Sequence, residues 1–166
     1  MLNYDLTELT VIVAEDNEPM RKILRGVLRA LGIRDIIAMD NGLDVFDYLK
    51  GKDVDLIIAD NMMSPMNGIE LVSLIRSGAE GVDPFIPFIM ISGFTDLDRI
   101  IEARDAGISE YLAKPVSAKK IYQRISSVIE NPRDFVRTSS FFGPDRRRRL
   151  LEFRGLEKRK NAYSYR

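Results

Sequence analysis

The sequence predicts an α/β fold with a doubly wound, five-stranded parallel sheet and helices on both faces. Short apolar runs alternate with amphipathic stretches five times along the chain, and each run is continuously apolar rather than alternating in polarity. Continuous apolar strands are typical of parallel sheets that are buried on both faces. The predicted strands cover residues 10–14, 35–39, 55–59, 86–92 and 109–113.

The stretches between these strands have the three- and four-residue spacing of helices that bury one face. Helices are predicted after Pro19, after the turn at Asn41-Gly42, and over 69–77, 96–106 and 117–129. The apolar stripe is Ile23, Leu24, Val27, Leu28 and Leu31 in the first helix, Val45, Phe46 and Leu49 in the second, and Ile121, Ile125, Val128 and Ile129 in the last. Asp96 is expected to cap the fourth helix.

Composition excludes several classes of chemistry. The 166 residues contain no Cys and no His, which excludes disulfides, thiolate metal sites, Ser-His-Asp hydrolysis and a phosphohistidine within this sequence. The longest nearly unbroken apolar run, 85–91, is far shorter than the ~20 residues that span a bilayer. The first ten residues lack a basic and an apolar region of the secretory type. We therefore expect a cytoplasmic protein that does not interact with membranes.

The charge changes sign at Asn131-Pro132. Residues 1–131 carry a net charge of −7 and residues 132–166 a net charge of +7. This predicts an acidic domain over 1–131 and a basic C-terminal extension over 132–166. Asp145 is expected to cap a short helix that reaches about Glu157, so the extension is expected to be partly helical. Docking on the acidic domain of the same or a second chain is the favoured interpretation for this extension, and nucleic-acid binding is the second.

Ligand sites in doubly wound sheets lie beyond the carboxyl ends of the strands. The residues found there are Glu15, Asp16, Asp60, Ser92 and Lys114. Carboxylates brought together in this way either take up protons or hold a cation. Oxygen ligands without His or Cys favour Mg²⁺, and a lysine ammonium is suited to a phosphoryl oxygen. Taken singly, each of these residues is as well explained by capping, a turn or packing.

Four segments together resemble the receiver domain of bacterial response regulators of the CheY type. They are AEDN at 14–17, ADNMMSPMNG at 59–68, MISG at 90–93 and YLAKP at 111–115. The resemblance covers residues 9–130 and implies a flavodoxin-like strand order, 2-1-3-4-5. It also implies a phosphorelay switch rather than an enzyme, although receivers catalyse their own phosphorylation and dephosphorylation.

The resemblance also implies roles for individual residues. Asp60 would accept the phosphoryl group. Mg²⁺ or Mn²⁺ would be held by Glu15, Asp16, Asp60 and the backbone carbonyl of Met62. Ser92 and Lys114 would bind phosphoryl oxygens, Ser92 and Tyr111 would form the switch, and the Lys114–Pro115 peptide bond would be cis. No organic cofactor is implied.

The sequence departs from the family at three positions: Glu15 stands where Asp is also common, Ser64 where Pro is usual, and Asn67 where Asp is frequent. None of these changes removes a chemical group from the site. The expected partners are a histidine kinase or histidine phosphotransfer protein and a downstream protein target. A homodimer through the fourth helix, fifth strand and fifth helix, or through the extension, is a further prediction.

Two alternatives stay open. One is a nucleic-acid-binding regulator that acts through the basic extension. The other is a phosphatase with an aspartyl nucleophile. Phosphatases of the haloacid-dehalogenase type need a second Asp two residues after the first, and Met62 occupies that position.

Overall fold

The computed structural model describes residues 5–146 and 163–165. Its main sheet contains five parallel strands, β1 Thr10–Ala14, β2 Asp35–Met39, β3 Leu56–Asp60, β4 Phe88–Ser92 and β5 Glu110–Ala113. Their order is β2-β1-β3-β4-β5. The doubly wound fold and strand order predicted from the sequence are therefore confirmed. Strand β4 begins later than predicted, after Pro87, which has no N–H for the ladder.

Five helices alternate with these strands: α1 Glu18–Ala30, α2 Gly42–Leu49, α3 Gly68–Arg76, α4 Leu97–Ala106 and α5 Ala118–Glu130. Each begins after a residue whose side chain accepts a hydrogen bond from the first turn: Asn17, Asn41, Asn67, Asp96 and Ser117. These caps satisfy backbone donors that lack helical partners. Across the described part of the chain, no helix has both the length and the apolar character to cross a membrane.

The sheet separates two apolar cores. Helices α2, α3 and α4 bury their apolar side chains on one face, and α1 and α5 cover the other. Strand β3, at the centre, is buried along its whole length. This arrangement explains why the sequence of β3 is continuously apolar until Asp60, the residue that ends it.

Two isoleucines that the spacing placed on buried faces are exposed: Ile23 is 57% exposed and Ile129 is 38% exposed. At 100° per residue, Ile23 lies about 120° around the helix axis from the midpoint of Leu24 and Leu28, the two buried residues of α1. In α5, Val128 lies about 20° from Ile121 around the helix axis, whereas Ile129 lies about 80° away. The stripe in each helix is thus narrower than the sequence pattern suggested.

Three short strands form a second, antiparallel sheet with the order β7-β6-β8: β6 Phe135–Arg137, β7 Phe142–Pro144 and β8 Tyr163–Tyr165. None of these three strands was predicted from the sequence. Beyond Arg146, the predicted helix that Asp145 would cap lies outside the described residues. So do the rest of the basic run 146–149 and the whole run 158–160.

Candidate functional site

The acidic residues of the site follow two neighbouring strands. Ala14 pairs with Ala59 in the parallel register of β1 and β3, so the next residues, Glu15 and Asp60, leave the sheet side by side. Asp16 follows directly. Carboxylate oxygens of Glu15, Asp16 and Asp60 lie within 4.8 Å of one another. Glu15 and Asp60 are buried, whereas Asp16 is exposed to solvent.

Strand β5 brings a cation to the same edge. Ser92 pairs with Ala113, and the backbone N–H of Lys114 donates to the Ser92 carbonyl at 2.8 Å. The Lys114 ammonium then lies 3.1 Å from a carboxylate oxygen of Glu15 and 3.1 Å from Oδ2 of Asp60. The Lys114–Pro115 peptide bond is cis, as the sequence resemblance implied, and so is Ser64–Pro65.

The acidic cleft contains more negative than positive charge, and the pKa values of Glu15 and Lys114 are shifted in it. Burial, and then the neighbouring charge of Asp60, raise the pKa of Glu15 above its ordinary value despite the hydrogen bond from Lys114. Burial by itself would lower the pKa of Lys114, but the hydrogen bonds and charges of Asp60 and Glu15 outweigh it and raise that pKa. One ammonium therefore faces three carboxylates, a surplus of negative charge that favours cation binding.

Asp60 holds its two carboxylate oxygens in different environments. Oδ2 accepts the hydrogen bond from Lys114. Oδ1 is buried and has no hydrogen-bond partner in the part of the chain that the structure describes. A buried, unsatisfied carboxylate oxygen is costly. Such an oxygen is suited to coordinate a cation or to attack an electrophile.

Loop geometry after β3 fixes the position of Asp60. A Cβ atom on Gly68 would lie 2.7 Å from the carbonyl oxygen of Asp60, so only glycine allows α3 to start this close to the strand. Gly68 N–H also donates to the Asn61 carbonyl, and Ile69 N–H donates to the Asn61 side chain. Met62 lies between them with its side chain 58% exposed on the rim of the cleft.

Ser92 and Tyr111 meet at the segment that leads into α4. The Ser92 hydroxyl is buried and accepts a hydrogen bond from Phe94 N–H at 3.1 Å. The Tyr111 hydroxyl donates to the Phe94 carbonyl. Both residues therefore hold Phe94, and Ser92 does so from the edge of the acidic cleft.

Comparison with known proteins identifies the family. The family model described as the response regulator receiver domain matches residues 11–126. The chain belongs to the response regulator receiver family. This receiver domain is 31% identical to the chemotaxis protein CheY-3 of Vibrio cholerae over 122 residues, which are 74% of this chain and 92% of that protein.

Two solved structures share the fold of this receiver domain. A CheX-CheY-BeF3-Mg complex from Borrelia burgdorferi aligns with a TM-score of 0.65 at 23% identity, over 73% of this chain and 89% of that one. The receiver domain of the sensor histidine kinase PA1611 from Pseudomonas aeruginosa, solved with magnesium in its active site cleft, aligns with a TM-score of 0.66 at 20% identity, over 74% of this chain and 98% of that one.

The structure brings together the five strand-end residues that the sequence singled out, and Tyr111 lies one hydrogen bond from the loop after Ser92. The role of the Met62 carbonyl stays a prediction. Sequence reasoning missed Arg21, whose guanidinium donates to the Glu15 carbonyl at 2.6 Å and to the Asp16 carbonyl at 3.5 Å. Because Arg21 binds backbone oxygens, no charge pattern in the sequence could indicate this contact.

Proposed function

We propose that this receiver domain accepts a phosphoryl group on Asp60 and acts as the switch of a two-component or phosphorelay pathway. The observation that carries the proposal is the Asp60 carboxylate itself. One of its oxygens is fixed by Lys114, and the other is buried without a partner among the described residues, beside the acidic pair.

Glu15, Asp16 and Asp60 fit a divalent cation. They supply hard oxygen ligands that converge within 4.8 Å, and the exposed position of Asp16 leaves room for the waters that Mg²⁺ retains. Together with the Met62 carbonyl, these residues would hold Mg²⁺ or Mn²⁺. When bound, the ion would supply positive charge that offsets the negative charge of a phosphoryl group.

In the reaction, an oxygen of Asp60 attacks phosphorus while the bond from phosphorus to the donor breaks, and the donor leaves with that electron pair. Lys114 is placed to bind a phosphoryl oxygen, since its ammonium already contacts Asp60. The Ser92 hydroxyl lies at the same edge and can donate to another oxygen. These preorganised donors stabilise the charge that the transfer brings into the cleft.

The donor is expected to be a phosphohistidine outside this domain, because no histidine occurs in the 166 residues. A histidine kinase or a histidine phosphotransfer protein would supply it. We further propose that the domain is a signalling switch, not a metabolic enzyme, which catalyses its own phosphorylation and dephosphorylation. Its output would be binding of a downstream protein through α4, β5 and α5. A cytoplasmic location and dimerisation stay predictions.

The test is incorporation of phosphoryl from a small phosphodonor such as acetyl phosphate, measured by intact-mass spectrometry with Mg²⁺ or with a chelator. We expect incorporation with Mg²⁺ in the wild type and none in Asp60→Asn. The matched control is Asp53→Asn, because Asp53 is an exposed aspartate before β3, at the opposite end of the strand. Labelling of Asp60→Asn at the wild-type level, or labelling that does not depend on a divalent ion, would refute the proposal.

No observation on the described residues favours the two alternative functions. Met62 still occupies the position where a phosphatase of the haloacid-dehalogenase type needs a second aspartate. Apart from Arg146, the basic runs 146–149 and 158–160 lie outside the described residues, so nucleic-acid binding stays a prediction.

A further inference from the structure

The first part of the basic extension, residues 132–146, folds back on the receiver of the same chain. Phe135 of β6 and Phe142 of β7 pack edge-to-face against Phe85, with ring centroids 5.0 and 5.3 Å from its own. Phe85 precedes β4 and is still 40% exposed. Aromatic pairs of this geometry stabilise a contact beyond the area they bury.

The extension also contacts the loop that ends α4, backbone against backbone. A Cβ atom on Gly143 would lie 3.0 Å from the Cα of Gly107, and one on Gly107 would lie 3.3 Å from the Phe142 carbonyl oxygen. Gly107 has φ of 104° and is the αL residue that terminates α4. Both positions therefore require glycine if β7 is to lie this close to the end of α4.

Two ion pairs connect the extension to the same region. The Arg146 guanidinium donates to Asp105, the penultimate residue of α4, at 2.7 Å. Arg133 donates to the buried carboxylate of Glu110 at 2.8 Å and to the Ser109 carbonyl at 2.7 Å. These ion pairs thus bind the extension to the end of α4 and to the start of β5.

One group opposes this docking. The guanidinium of Arg76 lies beneath the Phe135 ring, 5.0 Å from its centroid, and is 4% exposed. It donates to the carbonyls of Gly107 and Pro84, but among the described residues no carboxylate pairs with it, and its Nη2 has no partner. Burial lowers the pKa of Arg76 to about 9. Desolvation of this charge offsets part of the aromatic contact, although the nearby charge of Asp83 reduces that cost.

Helix α4 links the docked extension to the acidic cleft. Within this helix, all of which the structure describes, Ala103 is the one fully buried side chain, and Ile100, Ile101 and Ala106 are half-buried. Helix α4 therefore buries fewer side chains than α3 does. Its first turn follows Phe94, which is held by Ser92 and Tyr111. Its last turn is held by the extension, so contacts at both ends contribute to the position of α4.

We propose that residues 132–146 are an intramolecular brake on α4, released when the Asp60 site is occupied by a phosphoryl group. The inference rests on the proposed function. The Ser92 hydroxyl accepts from Phe94 N–H, and its proton stays available for a phosphoryl oxygen on Asp60. If the hydroxyl moves toward that oxygen, its bond to Phe94 N–H either lengthens or draws Phe94 with it. Either change shifts the start of α4, and displacement of the helix works against the contacts of Asp105 and Gly107 with the extension.

The test removes the Arg146–Asp105 ion pair and measures the binding of beryllofluoride at Asp60, near the other end of the helix. In Arg146→Ala, we expect the apparent dissociation constant of beryllofluoride with Mg²⁺ to fall about two- to threefold, the range expected for a partly exposed ion pair. Arg104→Ala is the matched control, because Arg104 also pairs with Asp105 at 3.2 Å but belongs to α4 itself. The control and the conservative Arg146→Lys variant should bind beryllofluoride as the wild type does.

Reciprocity provides a second measurement on the full chain. If undocking favours beryllofluoride, then beryllofluoride must weaken docking by the same factor. Hydrogen exchange of the β6 and β7 amides should become about two- to threefold faster when the adduct forms. Unchanged exchange with the adduct bound, or equal affinities for Arg146→Ala and Arg104→Ala, would overturn the brake. If fluorine NMR shows no adduct with the wild type, the function proposed for Asp60 fails instead, so the two failures are distinguishable.

Discussion

Replacing Glu15 with glutamine tests the charge balance of the acidic cleft. The Glu15 carboxylate lies within 4.8 Å of that of Asp60 and 3.1 Å from the Lys114 ammonium. At an effective dielectric constant of 20, the repulsion from Asp60 amounts to about 3.5 kcal/mol and the attraction to Lys114 to about 5 kcal/mol. Asp16 lies equally near but is exposed, so solvent screens its charge and its repulsion is left out of this sum. Burial of the charge costs about 3 kcal/mol. The ionised carboxylate therefore destabilises the fold by about 1 to 2 kcal/mol when no cation is bound.

The sign of the pH dependence follows from the direction of the pKa change. Burial and the charge of Asp60 raise the pKa of Glu15 above its ordinary value of 4.5. As the pH rises from 4.5 through the folded-state value, the unfolded chain has lost a proton that the folded protein still holds, so the contribution of Glu15 to wild-type stability falls across this window. Glu15→Gln has no carboxyl group at this position, so this fall in stability does not occur in the variant. It should match the wild type in acid and be about 1 to 2 kcal/mol more stable at about pH 7 without divalent ions.

Mg²⁺ should reduce or reverse this difference. A ligand that binds only the folded state stabilises it according to its affinity, and the variant loses one of the carboxylates that would hold the ion. The assay is urea unfolding followed by circular dichroism, in acid and at neutral pH, with Mg²⁺ or with a chelator. Glu8→Gln serves as the control because Glu8 is exposed and lies before β1, away from the cleft.

Two results would refute this reasoning. If Glu15→Gln unfolds at lower urea than the wild type at neutral pH without divalent ions, then the attraction to Lys114 exceeds the cost of burial and repulsion. If Mg²⁺ stabilises both proteins equally, then Glu15 contributes nothing to cation binding. The control should not differ from the wild type in any of these conditions.

Two further predictions concern the backbone near the site. Gly68→Ala should lower the free energy of unfolding by about 1 to 3 kcal/mol, because the new Cβ atom would meet the Asp60 carbonyl oxygen at 2.7 Å. Gly26→Ala is the control, because a Cβ atom there has open space. Urea unfolding should show that this control raises the free energy of unfolding by about 0.5 to 1 kcal/mol. Tyr111→Phe should cost about 0.5 to 1.5 kcal/mol by removing the bond to the Phe94 carbonyl, and an unchanged unfolding midpoint would mean that water replaces this bond.

The main sheet and the location of the site could be predicted from the sequence for one shared reason. Continuous apolar runs such as 56–59 can only be strands that are buried on both faces, and the residues that end such strands must meet at one edge. The strand order alone predicts that Glu15, Asp60 and Lys114 lie close together, without knowledge of side-chain conformation. The distances between these residues, and the absence of a hydrogen-bond partner for Oδ1 of Asp60 among the described residues, are seen only in the structure.

The contacts of the extension could not be predicted in the same way. Its charge and aromatic content favoured docking on an acidic receiver, but they did not identify the surface. That surface depends on Phe85, which lies just before the predicted strand 86–92, and on Gly107 and Gly143, whose backbones approach each other closely. Local sequence carries no signal for a contact between two glycines 36 positions apart in the chain.

The part of the extension that the structure describes docks far from the acidic cleft, which explains why its positive charge does not neutralise the cleft. Arg133 and Arg146 pair with Glu110 and Asp105, at the start of β5 and the end of α4. Both contacts lie at the end of the sheet opposite to Asp60, because neighbouring strands are parallel and α4 runs back against them. Arg133 and Arg146 therefore neutralise carboxylates that lie away from the cleft. The chain balances its formal charge overall while the acidic cleft keeps the surplus of negative charge that a divalent cation would satisfy.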